Sequence, residues 1–214
     1  YLPERRQGLV NYVRNLQGLK PLETQAEQLA YLDTAWTYWQ TLGEDYKSPF
    51  LRDVLTLELR TTGREANAPD NARYETTFRG YDAIAKLFPG AQRKADQALV
   101  AGESRWQGEF ETYASRVLSN GGGQVDIMIP GGALKLANVA ASADSTGQPP
   151  SNNGRGDALR AGILTANGGA INIFTHDSVT VNQSRILTAL GGNLTIWSSF
   201  GDIAAGKGAK TSIS

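Results

Sequence analysis

Apolar residues in the second half of the chain alternate with polar residues behind recurring pairs of glycines. Three such pairs follow a Val/Ile-Leu-Ser/Thr triplet at the same offset: Gly122-Gly123, Gly168-Gly169 and Gly191-Gly192. The alternating apolar residues behind them are Val125 and Ile127, Ile171 and Ile173, and Leu194 and Ile196. This alternation is typical of a β-strand with one buried face. Because the pairs lie 46 and then 23 residues apart, the pattern predicts a repeat of about 23 residues.

A repeat of this length predicts a solenoid, because a single repeat cannot cover its own apolar face and must stack on its neighbours. Each turn would hold one strand before the glycine pair and a second strand after it. A third, weaker strand is expected around Leu134, Val179 and Ile203. Glycine suits the bend because a positive φ carries no side-chain penalty there. Stacked turns about 4.8 Å apart would pair as parallel strands.

One turn of this series does not fit. The spacing predicts a glycine pair near Ser145, but residues 142–158 form a polar loop that contains Pro149-Pro150. Either a long excursion distorts one turn, or the spacing of 46 residues is partly a coincidence. The pattern alone leaves both explanations open.

The first half of the chain has a helical pattern. A capping box of Thr24 and Glu27 precedes an apolar face and predicts a helix over 22–42. That face contains Leu29, Leu32, Trp36 and Trp39. Ser48-Pro49 predicts the start of a second helix and Gly63 its end. Helical spacing also predicts a helix over 72–87, which Pro89-Gly90 ends, and a final helix is expected over 91–102.

Composition changes between the two halves. Most charged residues precede residue 119, whereas most glycines follow it. Charged, glycine-poor sequence followed by glycine-rich sequence indicates helices followed by strands and turns. We therefore expect an α-helical subdomain at 1–108 and a β-solenoid at 109–214, with the irregular polar loop at 142–158.

Charge and composition exclude several classes of function. Lys plus Arg and Asp plus Glu number 21 each, so no global field attracts nucleic acid, and no nucleic-acid partner is expected. The absence of cysteine excludes disulfides and thiolate catalysis. No apolar run reaches the roughly 18 residues of a membrane span, so we expect no transmembrane segment.

Candidate catalytic chemistry is sparse. His176 is the single histidine, and Asp177 beside it suggests an acid-base or metal pair, but neighbours in a strand point to opposite faces. A solvent-facing turn residue is the favoured interpretation of His176. The few acids after residue 119, such as Asp126 and Asp202, do not occupy equivalent positions in their repeats. We expect no enzyme, no catalytic residue, no metal and no cofactor.

Two features suggest binding. Trp36, Tyr38 and Trp39 could form a stacking platform for a sugar or a base, although their helical spacing favours a core or a packing seam. Arg155-Gly156-Asp157 lies in the polar loop and is the tripeptide that integrins bind through a cation and a carboxylate. The alternative to a receptor-binding loop is an ordinary polar turn.

Several segments resemble the filamentous haemagglutinin family of large exported bacterial proteins. The similarity covers roughly residues 50–214. Its segments are Arg79–Gly90, Ile127–Gly132, Gly168–Phe174, Val181–Ile186, Asn193–Ser199 and Gly201–Thr211. The last three are the most specific. The helical half departs from the family's plain shaft.

The resemblance implies a right-handed parallel β-helix and a secreted or surface-held protein of a Gram-negative bacterium. It also implies adhesion to a host or neighbouring-cell receptor or glycan. Export would occur by two-partner secretion through an outer-membrane transporter, and the lack of cysteine agrees with that route. We therefore expect a segment of an adhesin that forms a structural shaft and presents binding surfaces. The alternatives are a carbohydrate-active β-helix enzyme and the stalk of a toxin-delivery protein.

Overall fold

A computed structural model describes residues 3–67, 74–88, 106–113, 115–136, 161–182 and 184–205. The chain divides into two compact units, Tyr1–Thr76 and Thr77–Ser214. The boundary predicted between residues 108 and 109 rests on composition and differs from this division into compact units. It stays a prediction. Helices come first and parallel strands follow, which confirms the predicted order of secondary structure.

Three helices form the first unit: α1 (Pro3–Leu16), α2 (Gln25–Thr41) and α3 (Glu44–Ala66). The predicted capping box at the start of α2 is confirmed, since Thr24 and Glu27 exchange side-chain and backbone hydrogen bonds. The first unit buries a core between α1 and α2 that consists of Leu9, Val10, Val13, Ala35 and Trp39. Tyr12 and Phe50 pack their rings against Trp39 at centroid distances of 6.1 and 5.3 Å.

The predicted limits of α3 are wrong at both ends. The helix begins at Glu44 behind the N-cap residue Gly43, and Pro49 lies inside it. Glu44 and Asp45 place negative charge in the first turn, where the helix dipole favours it. Pro49 lies close to the start, where its missing N–H removes one helical hydrogen bond. Gly63 is no stop either, because glycine weakens a helix by about 1 kcal/mol without ending it.

The fourth helix, α4 (Tyr74–Leu87), confirms the helix predicted over 72–87. Its residues from Thr77 onward belong to the second unit, and Ala83 and Ile84 are buried there. The helix predicted over 91–102 and the polar loop at 142–158 lie outside the described residues. None of α1–α4 is long and apolar enough to cross a membrane.

Ten strands follow among the described residues, and all of their pairings are parallel. In chain order they are β1 (Phe110–Glu111), β2 (Arg116–Ser119), β3 (Val125–Ile129), β4 (Leu134–Lys135), β5 (Gly162–Thr165), β6 (Ile171–Thr175), β7 (Val179–Thr180), β8 (Arg185–Thr188), β9 (Leu194–Ser198) and β10 (Ile203–Ala204). They form three sheets with the orders β1-β4-β7-β10, β2-β5-β8 and β3-β6-β9. Each group of three consecutive strands from β2 onward contributes one strand to every sheet. We call β2–β4 the first rung, β5–β7 the second and β8–β10 the third.

The register between rungs explains the irregular spacing. Val117 pairs with Ile163, and Ile163 pairs with Ile186. The first step covers 46 residues and the second 23, yet each advances the chain by one position in the sheet. No extra rung separates β2 from β5, so the interpretation of 46 residues as two turns is wrong. A parallel ladder fixes which residues meet and leaves the length of the connection free.

The apolar core of the second unit follows the same register. Ile163, Ile171, Ile173 and Val179 of the second rung are buried, and partly buried residues of the first and third rungs pack against them. Side chains on alternate positions of each strand therefore share one face, as the alternation predicts.

Candidate functional site

The recurring triplet and glycine pair form one structural unit, which we call the glycine corner. At each corner the hydroxyl that ends the first strand donates a hydrogen bond to the carbonyl of the second glycine. The three bonds are Ser119 to Gly123 at 2.7 Å, Thr165 to Gly169 at 3.0 Å and Thr188 to Gly192 at 3.3 Å. The Ser/Thr hydroxyl thus stabilises the turn that the glycine pair forms.

The second glycine of the corner is required by close packing between rungs. Gly169 and Gly192 adopt φ values of 94° and 108°. A Cβ added to Gly192 would meet the Gly169 carbonyl oxygen at 2.1 Å, and one on Gly169 would meet that of Gly123 at 2.5 Å. The first glycine, Gly191, has a φ of 96° but nothing within 4 Å. At the third corner, the first glycine therefore serves backbone conformation alone, whereas the second also allows close stacking.

Helix α4 packs on the β3-β6-β9 sheet through aromatic rings. Tyr81 meets Trp197 edge-on at 5.6 Å, and its hydroxyl donates a hydrogen bond of 2.8 Å to the Ser199 carbonyl. Phe88 stacks on Phe174 with ring planes 20° apart. Helix α4 and the residue after it, Phe88, therefore pack on β6 and β9 of this sheet.

The first unit contains an open cleft between its three helices. Its volume is about 500 Å³, within the range of small-molecule sites. The lining is mainly apolar and consists of Leu9, Leu32, Trp36, Trp39, Phe50, Leu51 and Val54, with Arg5, Arg6 and Asp33 as its charged members. The volume and the apolar lining of this cleft fit a small ligand.

Charge in the cleft is partly neutralised within the unit. Arg5 donates hydrogen bonds to Glu58 at 3.1 Å and to Thr61 at 3.2 Å, and the Glu58 side chain is fully buried. Arg6 and Asp33 make no side-chain hydrogen bond or ion pair with other described residues. They leave one positive and one negative group beside the apolar lining.

The tryptophans of α2 have different environments. Trp39 is buried in the helical core, which confirms the core interpretation for that residue. Trp36 is 51% exposed and lines the cleft, so the packing interpretation is wrong for it. Tyr38 is half-buried against the core. Helical spacing identified the apolar face, but it could not show that α3 leaves part of that face uncovered.

His176 and Asp177 meet, contrary to the expectation that strand neighbours diverge. They lie in the bend after β6, and their side-chain Nδ1 and Oδ1 atoms are 2.8 Å apart. His176 packs against the Phe200 ring at 4.7 Å and is largely buried, so the prediction of a solvent-facing residue is wrong. The part of the chain that the structure describes holds no group of three or more metal-binding side chains.

The other candidate residues remain apart. Asp126 accepts a hydrogen bond of 2.8 Å from Asn172 on the neighbouring strand β6. Asp202 precedes β10, in a different sheet. Arg155, Gly156 and Asp157, the candidate receptor-binding loop, lie outside the described residues.

The chain matches no protein-family model, and no curated protein or solved structure shows significant similarity to it. The described geometry therefore carries the functional argument. It offers a repetitive strand scaffold in the second unit and a cleft in the first.

Proposed function

We propose that the three parallel sheets form a right-handed parallel β-helix of about 23 residues per turn. The observation that supports this proposal is the glycine corner, which recurs with the same hydrogen bond at all three rungs. Because each corner closes with the same hydrogen bond, successive strands take equivalent positions in their rungs, as a solenoid requires. Handedness follows from the family resemblance.

This stack would serve as a structural shaft in a secreted or surface-held bacterial adhesin. In-register apolar residues and backbone hydrogen bonds between rungs support a rigid rod. The role is one of presentation and not of catalysis. Export through an outer-membrane two-partner secretion transporter is part of the proposal, and it rests on the resemblance and the lack of cysteine.

The proposed partner is a receptor or glycan on a host or neighbouring cell. Two surfaces could contact it. One is the loop with Arg155-Gly156-Asp157, and the other is the cleft beside Trp36. The loop combines a cation and a carboxylate, whereas the cleft offers an exposed aromatic face.

Disulfide cross-linking tests the stack in a chain that has no native cysteine. Leu118→Cys and Leu164→Cys place two thiols on paired positions of adjacent strands, about 4.8 Å apart, which suits a disulfide. The control pair, Leu118→Cys with Leu187→Cys, lies two rungs apart, at about 10 Å. We expect a disulfide in the first pair alone, read by mass spectrometry. A disulfide only in the control would contradict the register.

Binding of the chain to epithelial cells and to immobilised glycans tests the adhesive role. Asp157→Glu keeps the charge but alters the reach of the carboxylate, and Asp144→Glu is the matched control in the same loop. Loss of binding in Asp157→Glu alone would place the receptor site in the loop. Loss in Trp36→Ala would place it in the cleft. No binding by the unaltered chain to any surface would contradict a binding role for this segment.

A further inference from the structure

Two neighbouring glycine corners each contain an asparagine followed directly by a glycine. Asn120-Gly121 lies at the first corner and Asn167-Gly168 at the second. In this dipeptide the backbone nitrogen of the glycine can attack the side-chain amide of the asparagine, because glycine has no side chain that obstructs the approach. The two sites share this intrinsic chemistry, so a large difference in their reactivity would come from the fold.

At the second corner the fold holds both reacting groups. The Asn167 side-chain nitrogen donates a hydrogen bond of 2.6 Å to the Asn120 carbonyl oxygen at the first corner. The Gly168 backbone N–H donates a hydrogen bond of 3.1 Å to the Ala189 carbonyl oxygen at the third corner. Attack of the Gly168 nitrogen on the Asn167 side chain requires both bonds to open, which couples the reaction to a local opening of the stack.

At the first corner the fold leaves the same two groups unbound within the described part of the chain. Asn120 is exposed, and its side-chain amide makes no hydrogen bond with another described residue. The Gly121 N–H makes none either, and a Cβ added to Gly121 would meet nothing within 4 Å. The side chain of Asn120 therefore has room to turn onto the Gly121 nitrogen, and neither reacting group must first give up a hydrogen bond.

We propose that Asn120 is a site of spontaneous deamidation in the folded chain, whereas the fold protects Asn167. The Gly121 nitrogen forms a bond to the Asn120 side-chain carbonyl carbon, and the side-chain nitrogen leaves as ammonia with the proton of the Gly121 N–H. Water then opens the resulting succinimide ring at either carbonyl, which gives aspartate or isoaspartate. The net reaction consumes one water molecule and releases one ammonia molecule, so it needs no oxidant or reductant.

The modification changes the place where the first and second rungs meet. Either product puts a carboxylate where Asn120 has a neutral amide, and isoaspartate also adds one carbon atom to the main chain. The change falls on the residue whose carbonyl accepts the hydrogen bond from Asn167. The charge and the geometry of the first corner would therefore alter with the age of the protein, without an enzyme.

Incubation of the full chain in a mildly alkaline buffer, followed by peptide mapping, tests the proposal. Trypsin separates the two sites into peptides 117–135 and 161–185, and tandem mass spectrometry locates the modified residue in each. We expect conversion at Asn120 to be at least about tenfold faster than at Asn167, because two hydrogen bonds protect the latter. A third such dipeptide, Asn153-Gly154, lies outside the described residues and falls in a separate tryptic peptide, 136–155.

Two controls separate the effect of the fold from that of the sequence. In denaturant the corners are lost, so Asn120 and Asn167 should convert at rates within about twofold of each other. Asn120→Gln should abolish the conversion at this position, because the longer side chain closes a larger ring much more slowly. Circular dichroism establishes that this variant is folded.

Three results would overturn the proposal. They are equal rates at the two sites in the folded chain, faster conversion at Asn167, and an Asn120 that stays intact over a period in which the denatured chain is converted. The Leu118→Cys and Leu164→Cys cross-link separates these outcomes from a failure of the stack. If the cross-link forms but the two rates are equal, deamidation at Asn120 alone is contradicted and the register of the rungs is kept.

Discussion

The helices α1–α3 form their core through contacts that occur once, whereas the strands repeat one set of contacts at successive rungs. Trp39 meets Tyr12 and Phe50 in a cluster in which each of the three rings contacts the other two. The glycine corner, by contrast, recurs with the same hydroxyl-to-carbonyl bond. A change in the helical unit should therefore act at one place, while a change at a corner acts on the contact between two rungs.

The largest expected effect is at the glycine corner of the second rung. Gly169→Ala should lower the free energy of unfolding by about 3 kcal/mol, because it adds left-handed strain and a clash with the Gly123 carbonyl. Chemical denaturation measures the loss.

The matched control for that substitution is Gly191→Ala. Gly191 has a similar φ but open space around it, so the expected loss is about 1 kcal/mol. Equal losses in the two variants would show that backbone strain, and not the stacking of rungs, explains the glycine pairs.

This contrast between repeated and single contacts also explains what could be predicted from sequence. The alternating apolar positions placed β3, β6 and β9 correctly, because a period of two identifies the buried face without knowledge of any partner. The third strand around Leu134, Val179 and Ile203 is confirmed for the same reason. The spacing of 46 residues misled because register does not depend on the length of the connection between strands.

The helical unit was predictable in its local signals and not in its packing. The capping box of Thr24 and Glu27 depends on residues three apart and is confirmed. Helix α1 was missed, although Leu9, Val10 and Val13 have helical spacing that could have indicated it. The cleft beside Trp36 depends on how three helices meet, and no local pattern contains that information.

The second largest effect is expected in the helical unit, at its buried ion pair. Glu58→Ala should lower the free energy of unfolding by about 3 kcal/mol or slightly less, because it leaves the Arg5 guanidinium, itself largely buried, without its carboxylate. Thermal and chemical unfolding both report this loss.

Glu44→Ala provides the comparison for a surface pair within the same unit. Glu44 contacts Lys47 at 3.5 Å, and its side chain is largely exposed, so we expect little or no change. If Glu58→Ala lowered the free energy of unfolding as little as Glu44→Ala, the helical unit would depend on apolar packing alone. The buried ion pair would then not be one of the single contacts that stabilise this unit.

The smallest effect is a dependence on pH at the start of α2. The hydrogen bond from the Thr24 hydroxyl, followed by the bond from the Thr24 backbone N–H, lowers the pKa of the Glu27 carboxyl below its ordinary value. A lowered pKa means that the charged form stabilises the fold. That contribution is present above the ordinary pKa of glutamate and is lost as the pH falls through the lowered value. Because Glu27 is exposed, the effect on the melting temperature should be small.

Comparing the unaltered chain with Glu27→Gln isolates this contribution. The difference between their melting temperatures should be largest near neutral pH and should shrink in acid. A difference that stays constant with pH would mean that the cap acts through hydrogen bonds that do not require the charge. The start of α2 would then resemble the glycine corners, where neutral hydroxyls close each turn, and the contrast between the two units would lie in repetition alone.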